Sequence, residues 1–291
     1  MSFPDDVIVR QATLDEARII SSWAQRESWQ PGVGDADAFF AADPHAFFIA
    51  ECDGELLGSI SAARYGTEYA FVGHYVVDPR HRNESLGHVI VGAVAPTLEG
   101  LRIGIDGVEV QVPTYSSLGF ELVHWISRHG GSPVAVLEAL PSSTGCIVEA
   151  LGDVGDDVIE FDAQHVPERR ESFARAWYAT GSPRRTFVVR EEGRITGLAT
   201  VRPVMGGGSR IGPLFASDDE VATALLRECA SVAQEWDGDL FIDIPDPNDA
   251  ARALATRCGL TPGFACARMY RGGVPQLPLA SIYGNTSFEL G

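Results

Sequence analysis

The chain has 291 residues, 45% hydrophobic and 21% charged, enough apolar material for one large core or two ordinary ones, which excludes a largely disordered polypeptide. Lys and Arg number 22 against 40 Asp and Glu, a formal net charge of −18, which argues against nucleic acid as a partner and suits a cationic substrate as well as plain solubility. The five cysteines are scattered with no C-x-x-C pair, so no disulfide frame or metal site is indicated; with no basic and apolar leader and no run of roughly 18 to 20 apolar residues, the chain reads as soluble and cytoplasmic, with no membrane partner.

In chain order, Val7 to Arg10 reads as a strand, and Thr13-Leu14-Asp15-Glu16 is a capping box that starts a helix running to about Glu27. A loop rich in Gly and Pro follows, with a short helix expected from Asp35 to Ala42. Phe47 to Glu51 and Leu56 to Ala63 are apolar segments around Cys52-Asp53-Gly54-Glu55, a hairpin signal. Tyr69 to Val77 supplies the next strand, Leu86 to Leu98 a helix, Arg102 to Val110 a strand, Pro113 to Leu118 a short helix and Phe120 to Arg128 another strand. This is an α/β unit.

The most telling stretch is YVVDPRHRNESLGHVIV, from Tyr75 to Val91, where an apolar strand enters an arginine-containing loop that opens directly onto a helix. Helix N-termini present unpaired N–H groups and the positive end of the macrodipole, so a loop folded over one grips a pyrophosphate through its backbone. Further on, from Tyr115, the chain reads YSSLGF. Together the two segments resemble the acetyl-CoA-binding core of the GNAT N-acetyltransferases, whose loop reads R/Q-x-x-G-x-G/A and whose later helix carries Y-x-x-x-G-F. Arg82, Asn83, Glu84, Ser85, Leu86 and Gly87 fill the six loop positions. Ser85 stands where the family has its first glycine, a place that tolerates positive φ and close approach of a phosphate. Glu84 adds a negative charge beside it.

The second half repeats the first. FVVREEGRITGLATVRP, from Phe187, mirrors FFIAECDGELLGSISAARY, from Phe47; RIGPLFASDDEVATALLREC stands where the loop and helix stood; NDAARALATRCGLTPGFACARMY parallels VPTYSSLGFELVHWISRH. A repeat of this length means two domains of one architecture. The expected division is residues 1–132 and 133–291, in a stretch punctuated by Gly130, Gly131, Pro133, Pro141 and Gly145. In the second copy Ser217-Asp218-Asp219-Glu220 reads as a capping box that occupies its own helix N-terminus and sets carboxylates where pyrophosphate charge would go, so only the first half is expected to bind CoA.

The segments ESWQPGVGDADAFFAADPHAFFIAECDG, GHYVVDPRHR, IGIDGVEVQVPTYSSLGF and RMYRG extend the resemblance to a subfamily of tandem-domain GNAT acetyltransferases, and the ending SIYGNTSFELG is similar to that subfamily's terminus, so the chain is expected to be complete. The resemblance implies two GNAT-like domains, each a mixed, mostly antiparallel twisted sheet flanked by helices, an N-acetyltransferase activity, and acetyl-CoA as acyl donor without a metal. It also implies a cofactor site at Tyr75, Val76, Val77 and the loop from Arg82 to His88 (Arg82, Asn83, Glu84, Ser85, Leu86, Gly87, His88), with the strand of Val76 and Val77 parting from its neighbour so that the Val77 N–H faces the thioester oxygen.

Acetyl transfer to an amine needs a neutral amine, a stabilised oxyanion and a protonated leaving thiolate. A phenol of pKa about 10 and a thiol near 8.5 are close enough for Tyr115 to give its proton to the departing sulfur. His74, a neutral imidazole near pH 7, and Glu68, at the start of the same strand, are the candidate bases. Asp106 and Trp29 are the candidate acceptor-site residues, one for its charge and one because an aromatic face attracts ammonium groups; Asp106 could equally cap a turn at Gly107, and Trp29 could equally fill core. The acceptor is read as a small-molecule or peptide amine held between the domains. A CoA sensor without turnover, and an assembly module whose second domain dimerises the protein, are the competing readings.

Overall fold

A computed structural model describes residues 6–82, 85–179 and 183–291. The first half runs β1 (Ile8–Gln11), α1 (Leu14–Arg26), α2 (Asp35–Ala42), β2 (Phe47–Cys52), β3 (Glu55–Tyr65), β4 (Tyr69–Val77), α3 (Leu86–Val94), β5 (Arg102–Val108), α4 (Val112–Ser117) and β6 (Glu121–Gly131). Thr13 and Glu16 form the reciprocal box expected of them: the Thr13 hydroxyl accepts from the Glu16 amide, and the Glu16 carboxylate accepts from the Thr13 amide at 2.8 Å. The turn between β2 and β3 places Asp53 and Gly54 at φ of 51° and 79°, the paired left-handed geometry of a two-residue hairpin.

The second half runs α5 (Pro133–Ala139), β7 (Val148–Ala150), α6 (Asp156–Ala163), α7 (Glu171–Trp177), β8 (Arg185–Glu191), β9 (Arg194–Pro203), β10 (Ser209–Ala216), α8 (Asp219–Ala233), β11 (Leu240–Pro245), α9 (Asp249–Arg257), β12 (Thr261–Arg271) and β13 (Ile282–Gly284). Its hairpin turn repeats the first one, with Glu192 and Gly193 at φ of 49° and 78°. Gly130 and Gly131, read as linker punctuation, are the end of β6, and Pro133 opens α5.

The 13 strands of the described residues form one sheet, in the order β1-β2-β3-β4-β5-β12-β6-β11-β10-β9-β8-β7, with β13 beside β10. The halves exchange their last strands. β12 lies antiparallel to β5, with Arg268 opposite Asp106, and β6 lies antiparallel to β11, with Arg128 opposite Asp243. The two domains are therefore joined through backbone hydrogen bonds. One face of the first half is covered by α1, α2 and α7, burying Phe39, Phe47, Phe71, Phe173 and Trp177; the other carries α3, burying Leu86, Ile90 and Val94 against Ile103, Ile105 and Met269. The second half folds its own core around α8, from Val136 to Tyr283. Among the described residues no helix is long and apolar enough to cross a membrane.

Arginines knit the halves together where the exchange brings them into contact. Arg128 binds both oxygens of Asp243 at 2.7 and 3.0 Å, Asp35 receives Arg184 at 3.0 Å and Arg202 at 2.9 Å, and Arg210 reaches Glu289 at 3.2 Å. Buried charges hold only when each finds a partner. The indole of Trp177 lies against the guanidinium groups of both Arg184 and Arg202, each 4.5 Å from its ring.

Candidate active site

β4 and β5 run parallel from Tyr69 opposite Arg102 to Val72 opposite Ile105, and there the pairing stops. Beyond that point β5 continues against β12, while β4 stays with β3 through a register shift between Ser59 and Ser61. The shift falls where His74 adopts φ of 45°, so the extra residue in β4 turns the strand away from β5. Gly58 stands opposite Val77, and the Asp78 amide donates to the Leu57 carbonyl at 2.9 Å. Alternation in an antiparallel ladder then turns the N–H and C=O of Val77 away from β3, toward the parted side.

α3 begins beside this gap. Among the described residues no side chain caps it: Ser85 sits at the N-cap with φ of 64° and ψ of 0°, and its carbonyl takes the His88 amide at 2.9 Å. The position that the resemblance reserves for glycine thus has the left-handed backbone that favours glycine, with a serine in it. Leu86 supplies only its backbone, since its side chain is buried in the core, whereas His88 is exposed on the first turn. Asn83 and Glu84 lie outside the described residues. Arg82 donates through Nε to the Val77 carbonyl at 3.0 Å and pairs with Glu27 at 2.5 Å, tying the loop to the end of α1.

Tyr75, Gly87 and Tyr115 come together on the α3 side of the sheet. The Tyr75 hydroxyl occupies the space that a Cβ on Gly87 would fill, so glycine is needed there for a side chain to cross the first turn of α3. The Tyr115 ring lies over Gly107 of β5, 2.7 Å from where a Cβ would stand, with its edge toward Phe120 at 6.2 Å between centroids. Burial and then the neighbouring Tyr75 phenol push Tyr115 up to about 12, so it stays protonated.

The other sequence candidates go elsewhere. His74 points to the opposite face, 2% exposed, with its ring against Phe39 and Phe47 and Nδ1 3.3 Å from the Ser61 hydroxyl; burial holds its pKa down. Glu68 is exposed in the turn before β4, at the far end of that strand from Val77. Asp106 is buried in β5, and both its oxygens bind Arg268, at 2.6 and 2.8 Å, so its charge is matched; it does not cap a turn at Gly107, which lies within the strand. Trp29 is half-buried against the core, and its carbonyl accepts from Arg128 at 2.8 Å.

The second half builds the same strand pair and closes it. β10 runs parallel to β11 from Ser209 to Ile211 and then leaves it, with a register shift against β9 between Ile211 and Leu214. β13 lies against β10 beyond that point, with Gly284 opposite Leu214 and packed on Ile242 of β11. The helix that follows, α8, is capped by Asp218, which accepts from the Glu220 and Val221 amides at 3.0 Å each. This is a single-residue cap and not the box read from the sequence: Asp218, not Ser217, is the N-cap, and Glu220 turns instead to the Gly145 amide at 3.0 Å.

The final segment, Asn285 to Gly291, read in the sequence only as resembling the subfamily's terminus, crosses both parted pairs on the face opposite α3. The chain passes Gly212 of β10, where a Cβ would overlap the Thr286 carbonyl, and then Gly73 of β4, where a Cβ would overlap the Glu289 carbonyl. Asn285 to Leu290 are all buried. The uncharged run SIYGNTSF, from Ser281 to Phe288, was the available signal.

A parallel pair that parts beside a helix N-terminus, built twice in one chain, defines a two-domain acyl-CoA N-acyltransferase fold. Residues 14–120 match the acetyltransferase (GNAT) family and residues 158–284 match the acetyltransferase (GNAT) domain, and the chain belongs to the GNAT acyltransferases, with one such domain in each half. It is 29% identical to holothin acyltransferase of Pseudoalteromonas sp. (strain SANK 73390) over 283 residues, which cover 97% of this chain and 94% of that one. Among solved structures its fold is similar to that of a protein from Pyrococcus horikoshii assigned to the acetyltransferases, at TM-score 0.81 and 18% identity over 100% of this chain and 98% of the other. It is also similar to a tandem GNAT protein from the clavulanic acid biosynthesis pathway, at TM-score 0.62 and 12% identity over 93% and 99% of the two chains.

Proposed function

We propose that the N-terminal domain moves the acetyl group of acetyl-CoA onto a primary amine, and that the C-terminal domain keeps the shape of such a domain without its site. The observation that carries this reading is the parting of β4 from β5 after Val72 and Ile105, beside a helix whose first amides carry no side-chain cap among the described residues. The amides of Ser85, Leu86 and Gly87 suit a pyrophosphate, with His88 exposed on the same first turn. A thioester lying in the gap would set its oxygen toward the Val77 N–H, which is a donor fixed before the reaction begins. Bound CoA supplies an activated acyl carbon and a thiolate leaving group.

Tyr115, kept protonated and half-buried over β5, is the proton donor to the sulfur. His74 and Glu68 lie away from it, so the amine proton passes to water in this scheme. Asp106 is already matched by Arg268 and leaves no free charge there to select a cationic acceptor. The relative named for acylating holothin supports an acyltransferase with a specific acceptor, and the acceptor class we propose is a small-molecule amine.

Release of free thiol from acetyl-CoA across a library of amines tests the reading. Turnover with at least one amine is expected, and Tyr115→Phe should lower it about 100-fold with CoA affinity little changed. Tight CoA binding with no thiol release from any amine would sink the catalytic reading, and an unaffected Tyr115→Phe rate would remove that residue from it.

A further inference from the structure

The final segment does more than cross the parted strands of the first half. It bridges their two lips. The Glu289 backbone lies on Gly73 of β4, and the Phe288 ring lies in a cluster with Val108, the last residue of β5, together with Ile126 and Cys266. The gap that opens toward α3 on one face is therefore floored on the other by Phe288, which is 9% exposed.

This floor is fixed. The Arg128 guanidinium lies 5.1 Å from the Phe288 ring centre and is itself held by both oxygens of Asp243, and Phe264 meets the ring edge-on at 5.8 Å. On either side the backbone is tied: the Tyr65 hydroxyl donates to the Leu290 carbonyl at 2.8 Å, Arg170 donates to the Gly291 carbonyl at 2.8 Å, and the Leu290 amide donates to the Ser287 hydroxyl at 3.1 Å. A ring held by a paired cation, an edge-on aromatic and an anchored backbone is a wall and not a flap.

We propose that Phe288 sets the length of acyl group this protein accepts. Resting on the assignment of the N-terminal gap as the thioester site, this places the acyl chain between the Val77 amide and the Phe288 ring, so that an acetyl group fits and a longer chain meets the ring. Rejection by a wall of this kind is steep, because a pocket that cannot yield discriminates by roughly ten-fold or more per added carbon.

Calorimetric titration of the full-length chain with CoA, acetyl-CoA and hexanoyl-CoA tests this without knowing the acceptor. The native chain should bind acetyl-CoA at least about ten-fold more tightly than hexanoyl-CoA, and the preference should shrink stepwise through Phe288→Leu, Phe288→Val and Phe288→Ala, moving by about ten-fold or more in the last. Phe264→Ala, which removes the edge partner and leaves the floor, should keep the native preference within about two-fold. Should Phe288→Ala fail to fold, the Leu and Val variants carry the same ranking. An unchanged preference across the series, or a native chain that binds hexanoyl-CoA as tightly as acetyl-CoA, overturns the proposal while leaving the site assignment standing. Failure to bind unacylated CoA overturns the site assignment, and this proposal with it.

Discussion

β4 leaves β5 after Val72 and Ile105, and β10 leaves β11 after Ile211 and Ile242, each with a register shift against the strand before it and each followed by a helix. What fills the opening differs. In the second half β13 lies in the gap and Asp218 covers the helix N-terminus, so backbone and side chain together use the groups that a nucleotide would need. In the first half, among the described residues, α3 has no side-chain cap, and the final segment approaches from the opposite face. One backbone plan therefore leaves an open gap in one half and a filled one in the other according to a few residues at the lips, and fold resemblance alone does not tell the two apart.

The largest expected effect tests whether that segment seals the two halves alike. Gly73 and Gly212 each sit where a methyl group would overlap a backbone carbonyl, of Glu289 and Thr286 respectively, and a backbone atom cannot swing aside as a side-chain end can. Gly73→Ala and Gly212→Ala should each lower stability by about 3 kcal/mol, read from urea midpoints at constant slope. A loss below about 0.5 kcal/mol at Gly73 alone would show the segment free to lift from the first half.

Much of this comparison was legible before any coordinates. The two hairpin turns, the strand ending at Val77, the helix from Leu86 and the repeat all follow from local rules, because turn residues and alternation act over a few positions. Strand exchange was not legible: β6 and β12 have the same alternation whichever strand they pair with, and Arg268 meets Asp106 across 162 residues of sequence. For the same reason Asp106 read as either a pocket residue or a turn cap at Gly107, and whether His74, whose placement depends on which way a bulge turns the strand, points into the cleft was not decidable. Helices α6 and α7 were passed over because their apolar residues, from Val158 to Trp177, follow a stretch of loop signals with no counterpart in the first half.

The exchange also has a pH signature. His124 on β6 is 8% exposed beside Arg268 on β12, and burial, reinforced by that arginine, lowers it from 6.5 to about 4. A histidine depressed in the folded state leaves stability intact above pH 6.5 and withdraws it as pH falls toward 4, since the unfolded chain takes up the proton first. Between pH 7 and pH 5 this group should remove about 2 kcal/mol, and His124→Leu should flatten that part of the acid slope. His74 and His165 are lowered by burial as well, so some slope will remain in the variant. Equal slopes in the two proteins would mean that His124 is protonated without penalty and that the exchanged strands separate easily.

The smallest effects come from interchanging what finishes the two helices. Asp218→Ala removes two hydrogen bonds from the start of α8 and should cost about 1 kcal/mol, without creating CoA affinity in that half, because β13 still fills the gap. Ser85→Gly works in the opposite direction. A serine at φ of 64° is strained, and glycine releases that strain at some cost in chain entropy, so a gain of up to about 1 kcal/mol is expected. The same change removes a side chain at the start of α3 and should strengthen CoA binding several-fold in a calorimetric titration. Weaker binding in Ser85→Gly would instead assign the Ser85 hydroxyl a direct hydrogen bond to the phosphate, making the departure from glycine a gain in grip and not a loss.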